Sequence, residues 1–152
     1  MILSSKPVFA GMVAMLFCAS MPGPARASGT INIHHKNGAV NRYNDVEIKV
    51  LSGSLFLTTD DGDGTIVVTR AACAYQGNII VCLPTLAALV QDGETSPLDL
   101  KTGTIYLNYT GVSQPLSRSS AKLPANSTML ALTLTNGTYI TLQGRIDQVI
   151  KQ

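Results

Sequence analysis

Few residues in this chain have types and spacings that suit chemistry. His34 and His35 are the only histidines, and they are adjacent. Neighbours on a strand point to opposite faces, so the pair cannot ligate one metal without a bend. As a general base, either histidine would need a Ser or Asp brought close by the fold. No G-x-S-x-G elbow is present, and Ser54 in Ser52-Gly53-Ser54-Leu55 has no turn-to-helix context behind it. Asp60-Asp61-Gly62-Asp63-Gly64 gathers three carboxylates into the kind of oxygen-rich loop that calcium favours. An EF-hand, however, would carry an acid where Ala72 stands and would run into a helix, whereas this chain enters a strand pattern. A solvated hairpin loop is the plainer account of Asp60, Asp61 and Asp63. With two Glu in the chain and most Asp in turns, no facing carboxylate pair for glycoside hydrolysis emerges. No residue pattern asks for a cofactor.

Cys73 and Cys82 invite a structural reading. Nine-residue spacing without C-x-x-C offers no route to an activated thiolate. A two-residue turn at Gly77-Asn78 places Gln76 opposite Ile79, Tyr75 opposite Ile80, Ala74 opposite Val81 and Cys73 opposite Cys82. The cysteines then fall at a non-hydrogen-bonded position with Cα atoms about 4.5 Å apart, within disulfide range. Closing this short loop contributes roughly 2.5 kcal/mol on the chain-entropy account.

The most unusual stretch is Gly111–Thr128, GVSQPLSRSSAKLPANST. It is long, lacks an apolar period, and carries Arg118 and Lys122 with no acid. Loops of this length in compact domains are uncommon and tend to carry function. We therefore single out Gln114, Leu116, Arg118 and Lys122 as a partner-binding loop for an acidic or anionic surface. A crossover between sheets, as Greek-key connections require, explains the same stretch structurally. Leu116 and Leu123 suggest that the loop is tacked down.

The elements around these residues read as strands. From Gly29 onward short apolar runs alternate with turn signals every 8–15 residues, the pattern of an antiparallel sandwich or partly open barrel. Val46, Ile48 and Val50 alternate with Glu47 and Lys49. Around Asn136-Gly137, a three-residue loop Thr135–Gly137 with a left-handed Gly137 pairs Leu132 with Ile140 and Leu130 with Leu142, so one face stays apolar. Pro84–Val90 fits either two helical turns or a strand, and seven residues are too few for periodicity to decide. Tyr106, Tyr109 and Tyr139 fit half-buried sheet positions better than a sugar-stacking face. The triplet G-T-[I/Y] at Gly29, Gly64, Gly103 and Gly137 marks turn glycines before strand entries rather than a repeat.

Residues 1–27 carry the marks of a secretory signal peptide. Lys6 forms a short positive region, Val8–Met21 is apolar, Pro22-Gly23-Pro24 ends the run, and Ala25-Arg26-Ala27 is an A-x-A cleavage site. About 14 apolar residues make a helix of only ~21 Å, short of the ~30 Å hydrocarbon core. Removing the segment takes away Lys6, Arg26 and Cys18. Nine cations then face nine acids, and the two remaining cysteines form an even pair, as an oxidising compartment predicts. A neutral chain without a basic stripe is a poor nucleic-acid binder.

The expectation is a single all-β domain over residues 28–152, exported to a bacterial periplasm or beyond, with one intra-hairpin disulfide and no transmembrane segment after cleavage. Its expected role is non-catalytic: a binding or accessory module for a protein or envelope component. Two alternatives stand beside it. One is a small secreted hydrolase or lyase built on His34 or His35, and the other is calcium-dependent binding through Asp60, Asp61 and Asp63.

Overall fold

The computed structural model describes residues 29–59, 64–116 and 121–150. The expected leader, the carboxylates Asp60, Asp61 and Asp63, and Arg118 lie outside the described residues. Twelve strands are present among those described: β1 (Gly29–His34), β2 (Val40–Leu51), β3 (Ser54–Thr58), β4 (Thr65–Gln76), β5 (Ile79–Gln91), β6 (Glu94–Leu98), β7 (Leu100–Asn108), β8 (Gln114–Pro115), β9 (Lys122–Leu123), β10 (Ser127–Leu134), β11 (Tyr139–Arg145) and β12 (Gln148–Ile150). No helix among them is long and apolar enough to cross a membrane.

Eight strands close into an antiparallel barrel in the order β1-β11-β10-β7-β5-β4-β3-β2, and β2 returns to pair with β1. The expected all-β class holds, and of the two architectures the chain adopts the barrel, fully closed. β6 adds to the free side of β5. β12 runs parallel to β2 through Gln148↔Lys49 to Ile150↔Leu51.

Alternation explains the interior. Ile31, Val46, Ile48, Val50, Leu55, Leu57, Val68, Ile105, Leu107, Leu130, Leu132 and Leu142 are essentially inaccessible and pack into one aliphatic core. Their neighbours Asn32, Glu47, Lys49, Thr141 and Gln143 point outward. Over β1, β10 and β11 the outward side chains are mostly hydroxyls and amides. That is the reverse of the polar-in, apolar-out alternation of a membrane-spanning barrel.

Closure requires backbone to approach backbone without side chains between. At the seam of β1, β2 and β11, a Cβ on Gly144 would lie 2.3 Å from the Cα of Gly29. A Cβ on Gly29 would lie 2.8 Å from the Val46 carbonyl oxygen and 2.9 Å from Ile48 Cδ1. Glycine at both positions lets β1 reach β2 and lets Ile48 fill the space beneath. One end of the seam is finished by the chain after β11. Ile146 N donates to Asn126 O, Asp147 N donates to Ile48 O, and Ile48 N donates to Asp147 Oδ2, each at 2.8 Å.

Pro84–Val90, open between helix and strand in the sequence, is strand. β4 and β6 supply ladder partners on both sides of residues 87–90, and that pairing overrides a local pattern too short to decide. Pro84 sits where β5 changes neighbour, from β7 at Ile80–Cys82 to β6 at Ala87–Gln91, so its missing N–H breaks no continuous ladder. Its ring packs over Gly103, where a Cβ would come within 2.9 Å of Pro84 Cγ and 2.8 Å of Leu132 Cδ2. Gly103 therefore answers a packing need within β7. Gly29 opens β1, Gly64 immediately precedes β4, and Gly137 lies in the turn two residues before β11.

Both hairpin registers are as expected near their turns. Gln76, Tyr75 and Ala74 face Ile79, Ile80 and Val81. Leu132 and Leu130 face Ile140 and Leu142, with Gly137 at φ 89°. The first hairpin departs from regularity beyond Ala74, where a bulge with Ala72 at φ 47° brings Cys73 against Cys82. The disulfide forms with Cα atoms 4.1 Å apart. Gly144→Ala should lower unfolding free energy by about 3 kcal/mol or more, because rigid backbone has to move. Gly53→Ala, with open space around it, should stay within about 0.5 kcal/mol. Denaturant melts of the two variants check the contrast.

Candidate functional site

The described parts of the long loop gather around one side chain. Asn108, at the end of β7, is fully buried. Its Nδ2 donates to the carbonyls of Val112, Leu123 and Pro124 at 3.0, 3.1 and 2.9 Å. Its Oδ1 accepts from Thr110 N at 2.8 Å and Thr110 Oγ1 at 2.6 Å. A single amide thus holds both arms of the excursion, and β8 and β9 pair within it. Burial of Leu123 adds the apolar anchor.

Of the expected loop residues, Gln114 is half-buried. It bridges the loop to the disulfide hairpin, accepting from Asn78 Nδ2 at 3.3 Å and donating to Thr110 Oγ1 at 3.1 Å. Leu116 is half-buried, with its N–H on the Ala121 carbonyl. Lys122 is exposed.

A concavity lies on the outer face of β1, β11 and β10. This groove of about 660 Å³ falls within the usual range for ligand sites. Strand registers array its residues in rows: Arg42, Asn32, Thr141 and Ala131 across one, Thr30, Gln143 and Met129 across the next. Pro124 and Ala125, the end of the long loop, form one wall, and Arg145 stands at that end. Ser127 Oγ donates to Pro124 O at 2.6 Å, so the wall is held twice, by Ser127 and by Asn108. The lining holds two guanidinium groups and no carboxylate. Arg145 pairs with Asp147 at 3.8 Å, while Arg42 Nε donates to Asn44 Oδ1 at 3.4 Å.

Sequence reasoning passed over this face, because Thr, Asn and Gln at alternate strand positions look like any solvated surface. The signal lies in the registers that put them side by side. The three tyrosines separate. Tyr139 is 41% exposed on the groove, Tyr106 is half-buried on the same outer face two strands away, and Tyr109 is half-buried at the barrel end against Arg70. Only the second and third fit the expected half-buried positions.

Catalytic groupings gain no support from the histidines. His34 lies against Tyr139 with ring centroids 5.8 Å apart, and His35 Nε2 bonds Asn41 Oδ1. Neither is set against a carboxylate or a serine among the described residues. No cluster of three metal-ligating side chains occurs among them either.

Burial raises the Tyr109 phenol above its ordinary value of 10.0, and the nearby Arg70 guanidinium opposes that shift. A raised value means the folded state retains its proton longer. Stability should therefore fall as pH rises past about 10, where the unfolded phenol ionises first. In an absorbance titration of the five tyrosines, Tyr109→Phe should remove a step lying above the ordinary phenol value. Asn108→Ala should cost about 3 kcal/mol, since the buried Leu123 carbonyl and the part-buried contacts to Val112 and Pro124 lose their donor. Asn108→Asp should be worse at neutral pH, where a carboxylate faces those oxygens, and should partly recover as acid protonates it; melts at pH 4 and pH 7 test this. Against known proteins, no family model matches the chain, and neither a curated protein nor a solved structure matches it.

Proposed function

We propose that this protein is a non-catalytic binding module of the bacterial envelope, exported to the periplasm or beyond, whose ligand face is the groove over β1, β11 and β10. The observation carrying this reading is a ligand-sized concavity in which hydroxyls, amides and two arginines stand among the apolar side chains of Pro124, Ala125, Met129 and Ala131, with no acid in its lining. Such a surface holds a polar, anionic partner through side chains that the barrel fixes from beneath. The core packs without these residues, so the face is open to selection for binding. Lys122, exposed on the loop whose end forms the groove wall, adds a cation two residues before Pro124. The disulfide supports export, because paired cysteines persist in oxidising compartments.

Two measurements test this reading. Mass spectrometry of the native product should find a chain starting at Ser28 with no free thiol at positions 73 and 82. A retained leader or free thiols would contradict export. Photo-crosslinkers placed at Gln143 and at Lys122 in the native compartment should capture an envelope component well above one at Thr95, which lies on exposed β6. Equal yields at all three sites would remove the groove and loop as the binding surface.

A further inference from the structure

We infer that the groove takes an acidic oligosaccharide, a chain of sugars bearing carboxylates. This rests on the binding-module reading and adds the class of ligand. The first argument is backbone pairing. Each strand under the groove has neighbours on both sides: β1 between β2 and β11, β11 between β1 and β10, β10 between β11 and β7. An extended peptide that binds by strand addition needs an open edge, and this floor presents only side chains.

The second argument is the chemistry of those side chains. Thr30, Asn32, Thr141 and Gln143 form two adjacent outward rows fixed by the pairs Thr30↔Gln143 and Asn32↔Thr141. Hydroxyls and amides both donate and accept, which suits vicinal hydroxyl groups that also do both. Tyr139, exposed at the upper end of the groove and backed by His34, offers a ring for the apolar face of a sugar.

The third argument is charge. Arg42 directly neighbours Asn32 on the adjacent strand, and a guanidinium matches a carboxylate with two parallel hydrogen bonds. Arg42 and Arg145 are separated by two strand spacings and about four residues of strand rise, placing their Cα atoms roughly 16 Å apart. A groove of that span suits an oligomer better than a single sugar. Arg145 is ion-paired with Asp147, so Arg42 is the residue expected to recognise a carboxylate.

The test uses the mature, disulfide-bonded protein and three probes: a short oligogalacturonate, a neutral oligosaccharide of the same length, and a poly-glutamate peptide of the same charge. Binding is followed by calorimetry, and the site is mapped by amide shifts. The oligogalacturonate should bind, with shifts centred on Asn32, Thr141 and Gln143. Arg42→Ala and Asn32→Ala should each weaken it about tenfold while leaving the melting curve unchanged, as both side chains lie outside the core. Arg42→Lys, which keeps charge and loses the planar fork, should recover only part of the affinity. Absence of oligogalacturonate binding, equal binding of the neutral chain, or shifts confined outside the groove would each overturn the inference. Equal binding of poly-glutamate in the groove would overturn it too, while leaving the anionic-ligand module standing. Failure of the groove crosslinker to exceed its control would instead remove the underlying reading.

Discussion

Sheet closure is the constraint on which everything else in this molecule depends. A strongly twisted eight-stranded sheet leaves two unpaired edges unless its first and last strands meet. Here they meet at β1 and β2, and the meeting is sterically permitted because Gly29 and Gly144 carry no Cβ. Closure pairs the backbone and turns one side chain in two toward a common axis. The inward set is almost wholly Ile, Leu and Val. Burying that set is the main stabilising term, and the groove over β1, β11 and β10 lies on the outer face of the same strands.

Two local devices adapt the ideal barrel to this chain. Bulges let long strands change direction and partner. One at Asn44-Asp45 accompanies the β1–β2 shift, and another at Ala72 brings the disulfide together across β4 and β5. β12 then covers a stretch of β2 edge beyond the reach of β1, which begins at Gly29 opposite Val46. The barrel is thus completed by its C-terminal segment, and Asp147 joins that segment to Ile48 through both backbone and side chain.

The groove owes its form to the same economy of contacts. Its floor is the outward face of three paired strands, and its wall is the end of the long loop. Asn108 joins the two, because its amide reaches from the barrel end to the Leu123 and Pro124 carbonyls. A loop of this length would otherwise bring little order to its far end. The groove side chains sit on strands, where neighbours restrict their positions, and under the proposed reading this limits the entropy lost when a ligand is held.

Much of this was legible in the residues alone. Period-two alternation identified the strands and their inward faces, since sheet geometry leaves a side chain only two directions. Gly77-Asn78 and Thr135–Gly137 determined two hairpin registers, and the cysteine spacing determined the disulfide, because short turns and a covalent bond act over short sequence distances. The state of Pro84–Val90 was not legible: it depended on ladder partners contributed by β4 and β6. Closure was not legible either, as it rests on glycines more than a hundred residues apart. Nor was the groove, whose residues come from β1, β2, β10, β11 and the loop and acquire meaning only as neighbours. Local sequence decided what each strand is and which face it buries. Tertiary pairing decided which outward faces stand together, because that depends on contacts between strands that the chain does not place next to each other.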